Sequence, residues 1–233
     1  MNAALIASLA AAGLPAGWPQ RAVIVRLAVP AVEPPGQALE PPGQALQPRR
    51  QDGPGRLPPA LAVGSVTAVL LGALAARVHP GLVLAAACWL AACAVPLAFV
   101  DVAVRRLPDP LTGAAYAGTA ALLLLAAAAA GPWPAVARAG LGGLALAGFY
   151  LMLMVISPSG MSLGDVKLAA SLGTLLAWFG WRVLLAGGFA GFLLGGLAGV
   201  ALVVSGRAGR KQHIPFGPVM IAGAVLAVLT WPG

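Results

Sequence analysis

Three aspartates frame the chemistry open to this chain. Of its 233 residues only six are acidic. Glu33, Glu40 and Asp52 fall in one proline-rich segment, whereas Asp101, Asp109 and Asp165 stand where long apolar stretches begin or end. An ionisable side chain at such a margin is costly enough to mark a functional candidate. Two carboxylates held close together cannot both ionise easily, so the pair shares a proton. The ionised member then takes a proton from water while the protonated member polarises a carbonyl. That is the chemistry of peptide hydrolysis, and it requires no metal, no serine nucleophile, no catalytic histidine and no cofactor.

Each aspartate also has a structural reading. Asp101, in "FVDVAVRRLPDPLT", lies four residues before Arg105, the spacing of an ion pair along a helix. Asp109 precedes Pro110 and an apolar run, the pattern of a helix start with Asp as N-cap and Pro in the first turn. Asp165 precedes "VKLAA" and fits an N-cap as well. Asp109 is the one best explained as structure, which leaves Asp101 and Asp165 as the candidate pair. Gly164, with no β-carbon, lets the chain before Asp165 come close to a neighbouring helix.

The elements that must position these groups are membrane helices. The chain is 60% hydrophobic and 9% charged, with a mean hydropathy of +0.92, far from the balance of a water-soluble domain. Apolar stretches of about 20 residues cross a hydrocarbon core of about 30 Å as helices. Pro58–Ala76, Gly81–Val100, Leu111–Gly131, Val136–Ile156, Val183–Val204 and Ile214–Trp231 qualify, with Val166–Phe179 shorter. Ala3–Gly17 is apolar but interrupted by Pro15, and no basic residue precedes it as a secretory signal requires. It reads as a first span running on raggedly through Ala22–Leu27. The expected fold is all-α, a polytopic transmembrane bundle of about eight spans, embedded in a lipid bilayer.

Positively charged loops stay cytoplasmic. With the amino terminus outside, only Arg77, Arg138 and Arg182 of the 14 Lys and Arg residues fall on the outer side. The rest, including Arg21, Arg26, Arg105, Arg106 and Lys167, fall inside, as do all three span-end aspartates. Basic loops beside anionic lipid account for the net charge of +8 without nucleic acid. His79 then lies outside, and His213 in a basic loop.

Residues 29–57 break the composition. "EPPGQAL" occurs at Glu33–Leu39 and again at Glu40–Leu46, followed by "QPRRQDGPGR". Proline and glycine at this density remove helix donors and leave little apolar surface to fold around. A flexible cytoplasmic linker is expected there, between a first span in residues 1–28 and a membrane domain in residues 58–233. Cys88 and Cys93 share one apolar stretch at a spacing that points them apart, so they read as small buried side chains rather than a zinc site.

These motifs carry a resemblance. "D-x5-L-P-D-x-L-T" at Asp101–Thr112 and "G-D-V-K-L-A" at Gly164–Ala169 resemble the two active-site motifs of the type IV prepilin peptidases. "IPFGPVMIAGA" at Ile214–Ala224 resembles that family's last-span signature, and "RAVIVRL" at Arg21–Leu27 the segment after its first helix. The resemblance implies an aspartic endopeptidase of the cytoplasmic membrane that removes the basic leader from type IV pilin or pseudopilin precursors at the cytoplasmic face. It places the catalytic aspartates at Asp101 and Asp165, with Gly164, Lys167, Pro108 and Asp109 in supporting positions.

Two departures stand out. The family's second motif is usually G-x-G-D, and Ser162 occupies the first glycine position. The cysteine-rich cytoplasmic domain that many members carry, associated with methylating the new amino terminus, is replaced by the repeat-bearing linker. A peptidase without methyltransferase activity is expected. The alternatives are a proton-coupled transporter, because aspartates at membrane depth also build proton relays, and a non-catalytic scaffold of the same fold.

Overall fold

In lipid, a run of alanine, leucine and valine can satisfy its backbone N–H and C=O groups only within its own helix. A computed structural model describes residues 3–28, 58–104, 106–157, 161–204 and 215–231, and every regular element among them is an α-helix. The whole proline-rich linker of residues 29–57, Arg105 and His213 lie outside the described residues. The helices are α1 (Ala3–Ala28), α2 (Ala60–Ala75), α3 (Leu82–Val104), α4 (Asp109–Ala130), α5 (Trp133–Ile156), α6 (Leu163–Phe179), α7 (Trp181–Val204) and α8 (Gly217–Thr230). Four of them, α3, α4, α5 and the Trp181–Ala201 part of α7, are long and apolar enough to cross a membrane, and α2 and α8 are shorter apolar helices. Large apolar side chains such as Leu144, Leu185, Phe189 and Val204 point outward. On a polytopic membrane bundle such a surface is met by lipid rather than water.

Successive helices pack side by side along the chain. The centre is a triangle of α3, α6 and α8, each touching the other two. Around it α4 lies on α3 and α6, α5 on α6, α7 on α6 and α8, and the α1–α2 pair on α3. Leu97, Leu168, Ala169 and Leu176 fill this centre and are almost fully buried. Because lipid tails are as apolar as the core, close packing rather than a hydrophobic driving force joins membrane helices.

The sequence marks Pro15 as a break, but α1 is one helix from Ala3 to Ala28 with Pro15 and Pro19 inside it. Proline in a helix interior costs about 3 kcal/mol when nothing compensates. Here tertiary contacts hold the helix. Gln20 Nε2 donates to the Ala92 carbonyl on α3 at 3.0 Å, and Thr67 Oγ1 on α2 donates to Gln20 Oε1 at 2.8 Å. This buried polar cluster fixes α1 against two neighbours.

The alternation of direction gathers the ends of α1, α3, α5 and α7 with the starts of α2, α4, α6 and α8. This end carries all three aspartates and is called the carboxylate end below. At the far end the α4–α5 connection is Gly131–Pro132 and the α6–α7 connection is Gly180 alone. Gly131 has φ +82° and Gly180 φ +143°, left-handed conformations that favour glycine.

Candidate active site

Asp101 occupies the last turn of α3, and its side chain is 5% exposed. Its Oδ2 accepts a hydrogen bond at 2.9 Å from the backbone N–H of Gly217, 116 residues away. Gly217 is the first residue of α8, followed by Pro218. The first N–H groups of a helix have no intrahelical partner and carry the positive end of its dipole, so a carboxylate is favoured there. A β-carbon at Gly217 would lie 3.0 Å from Asp101 Oδ2, so glycine is what lets the carboxylate reach the backbone.

Asp165 is also 5% exposed, in the first turn of α6. It is not the N-cap that its position before "VKLAA" indicates. Ser162 is the N-cap, and Asp165 is the third helical residue of a capping box. Ser162 donates twice to Asp165 Oδ2, from its backbone N–H at 2.8 Å and from Oγ at 2.9 Å. Asp165 N–H in turn points at Ser162 Oγ, at 3.4 Å. The second carboxylate oxygen, Oδ1, is buried with no hydrogen-bond partner. A buried oxygen left open in this way is expensive unless a proton, water or ligand meets it.

The two carboxylates come together through the contacts of α3 with α6 and of both with α8. Each lies within electrostatic reach of the other. Tyr150, on α5 and 1% exposed, lies within the same reach of Asp165.

The supporting positions line the approach. A β-carbon on Gly164 would come within 2.5 Å of Leu107 Cβ, so the start of α6 rests on the segment leading into α4. Asp109 does not cap α4. Pro108, in extended conformation at φ −70° and ψ 130°, is the N-cap, and no side chain caps the helix. With Asp109 already inside the helix, its carboxylate points outward and pairs with Lys167 Nζ at 2.7 Å. The pair joins the starts of α4 and α6, yet both side chains are largely exposed, so it contributes about 0–1 kcal/mol.

Sequence reasoning missed three members of this site. The Ser162–Asp165 spacing is itself a capping-box signature, S-x-x-D ahead of an apolar run, but Ser162 draws attention first as a departure from a family glycine. Gly217 has a local signal only in its position before Pro218 at a span start. Tyr150 has none. His79 lies at the far end, away from both carboxylates, lining a cavity with Arg77 and Arg138. Among the described residues no three His, Cys, Asp or Glu side chains gather where they could hold a metal.

Comparison with known proteins points the same way. The model of the type IV leader peptidase family matches residues 84–204. The prepilin leader peptidase/N-methyltransferase of Aeromonas hydrophila is 33% identical over 171 residues, 70% of this chain and 56% of that protein. Its counterpart in Bacillus subtilis (strain 168) is 39% identical over 87 residues, 36% of this chain and 34% of that protein. The Pseudomonas aeruginosa protein of the same kind is 36% identical over 81 residues, 35% of this chain and 27% of that protein. The matches thus span about half the length of these curated relatives or less. No solved structure matches the chain.

Proposed function

This chain belongs to the type IV leader peptidase family, and from that premise we propose that it is a membrane-embedded aspartic endopeptidase. Its substrate is a type IV prepilin or pseudopilin precursor, from which it removes the basic leader at the cytoplasmic face. The observation that carries the reading is the pair of buried carboxylates at one end of the bundle. Each is held by one oxygen on donors at a helix start, and Asp165 Oδ1 is left open.

The mechanism follows from that geometry. Asp101 and Asp165 share one proton and titrate as a unit. A water between them loses a proton to the ionised carboxylate as its oxygen attacks the scissile carbonyl carbon. The protonated carboxyl gives its proton to the carbonyl oxygen. As the tetrahedral intermediate collapses, one of its hydroxyls returns a proton to the ionised carboxylate, the C–N bond breaks, and the protonated carboxyl gives its proton to the leaving amine, restoring the singly protonated dyad. Gly217 N–H and Ser162 hold the two outer oxygens, which aims the remaining ones at the water. Such fixed donors need no reorganisation as charge moves.

The cytoplasmic assignment rests on the distribution of Lys and Arg, since among the described residues only Arg77, Arg138 and Arg182 belong to the far end. The chain acts as a peptidase alone. Its 29–57 segment contains no cysteine and is dominated by the EPPGQAL repeat, unlike a metal-stabilised domain.

The test is mass spectrometry of a precursor with a basic leader, incubated in membranes with this protein or with Asp165→Ala. The leader should be released by the first and retained by the second, and the new amino terminus should stay unmethylated. An intact leader in both samples ends the peptidase reading and leaves the transporter or the scaffold. Methyl transfer by the purified protein removes the peptidase-only assignment.

A further inference from the structure

A second feature lies beside Asp101 and takes no part in holding the dyad. A cavity of about 650 Å³ opens on the side of the bundle between α2, α3, α7 and α8. Every side chain lining it is apolar. Its upper end is formed by Phe99 and Val102 on α3 and by Pro218 on α8. Val102 is the residue after Asp101, and Pro218 the residue after Gly217, whose N–H holds the Asp101 carboxylate. The groove therefore starts level with the candidate active site.

Its length and walls are those of a helix dock. On α3 it runs from Val102 to Ala94 and on α8 from Pro218 to Leu226. Eight residues along each helix give roughly 12 Å, a little over two turns, at the rise of an α-helix. Ala94 and Ala98 on α3 and Ala222 on α8 leave the small surface over which membrane helices approach closely. Val66, Val102 and Leu226 at the rim are exposed, so the groove can be entered sideways from lipid. The cavity at the far end differs on both counts, being lined by Arg77, His79 and Arg138 and lying away from both carboxylates.

We infer that this groove docks the apolar helix of the precursor, with the amino-terminal end of that helix against Val102 and Pro218. The inference rests on the peptidase reading above. In a membrane-inserted precursor the apolar helix begins just beyond the bond to be cut. A helix seated between α3 and α8 delivers the chain ahead of its first turn directly over Asp101. Seating the helix from the side also lets it arrive by diffusion in the bilayer without leaving lipid.

The experiment places a photo-crosslinking amino acid at Ala98, Ala222 or Leu144 in Asp101→Asn protein, in membranes containing the full precursor. Leu144 is a control on the outer face of α5, 73% exposed. Adducts with the apolar helix of the precursor should form at positions 98 and 222 and be absent at 144. In otherwise wild-type protein, Ala222→Trp should raise KM for the precursor roughly tenfold, the mark of lost ground-state binding, with kcat unchanged. Equal adduct yields at 144 and 222, adducts with lipid alone, or an unchanged KM in Ala222→Trp would overturn the dock while wild-type cleavage continues. Failure of the wild type to cleave the precursor would instead remove the peptidase reading, and the dock with it.

Discussion

At the far end of the bundle Arg138 donates from Nε and Nη2 to the carbonyls of Ala177 and Trp178, both at 2.6 Å, across the last turn of α6. At the carboxylate end the same helix begins with Asp165 accepting two donors from Ser162. Both arrangements follow one rule, a cation at a helix C-terminus and an anion at an N-terminus. They differ in what is left over. Arg138 meets the terminal carbonyls of α6, and close by the rings of Phe179 and Trp231 meet at a tilt with centroids 5.1 Å apart, tying α6 to the end of α8. The far end is also joined by the shortest connections. At the carboxylate end Asp165 keeps one buried oxygen without a partner, and its charge reaches the buried Asp101. The far end uses its Arg138 contacts to hold helices together, whereas the carboxylate end keeps a buried oxygen open.

The largest expected effect comes from removing that remaining capacity. Asp101→Asn and Asp165→Asn keep side-chain size but cannot carry the proton that the proposed dyad shares. Each should lower leader cleavage by about 10²–10⁴-fold or more, the range typical of lost acid–base catalysis, while the protein still accumulates in the membrane. Near-normal turnover by Asp101→Asn would break the contrast between the ends at its root. Arg138→Ala should do the reverse. Losing two charge-assisted hydrogen bonds that cap α6 should cost on the order of 2 kcal/mol of stability, seen as earlier thermal unfolding in detergent. Once allowance is made for folded protein, kcat should hold. A variant as stable as the wild type would show that the Arg138 contacts do not clamp the far end.

Ser162 gives a finer test. Ser162→Ala removes the N-cap and one donor to Asp165, a loss of about 0.5–2 kcal/mol, whereas a glycine N-cap costs only a few tenths. Both variants lose the hydroxyl donor and keep the backbone donor, so the quality of the N-cap alone separates them. Cleavage and thermal stability should therefore fall in the order wild type, glycine, alanine. Alanine performing as well as glycine would mean that the capping box does not steady the carboxylate. The smallest effect belongs to Asp109. Because its carboxylate pairs with Lys167 in solvent, Asp109→Asn should change stability by no more than about 1 kcal/mol, and high salt should erase the difference. An Asp109→Asn protein as inactive as Asp101→Asn would place Asp109 in the reaction itself.

The helices were largely legible because membrane spans announce themselves by length and apolarity, which local sequence contains. Val166–Phe179 already outlines α6, and Leu111–Gly131 outlines α4. The error at Pro15 has a clear cause. Proline rules describe an isolated helix, while α1 is held by Gln20 through partners on α2 and α3. The true caps lie one residue before Asp109 and three before Asp165. Asp–Pro and Gly–Asp pairs both mark a helix start, but which residue is the cap depends on backbone angles that the residues alone do not fix.

By itself the sequence determined that this chain is a bundle of apolar helices, that its span-end aspartates lie on one side, and that its motifs resemble one family. All of these follow from local composition, from the alternation of helix direction and from short spacings. Tertiary structure alone decided what holds Asp101 and what lies next to both carboxylates. Asp101 finds Gly217 across 116 residues, and Asp109 finds Lys167 across 58. Helices apolar on nearly every side carry little periodic signal of which face meets which neighbour. Only the packing of the helices against one another, α3 on α8 and α4 on α6, sets those partners, and with α2 and α7 it leaves the groove beside Asp101.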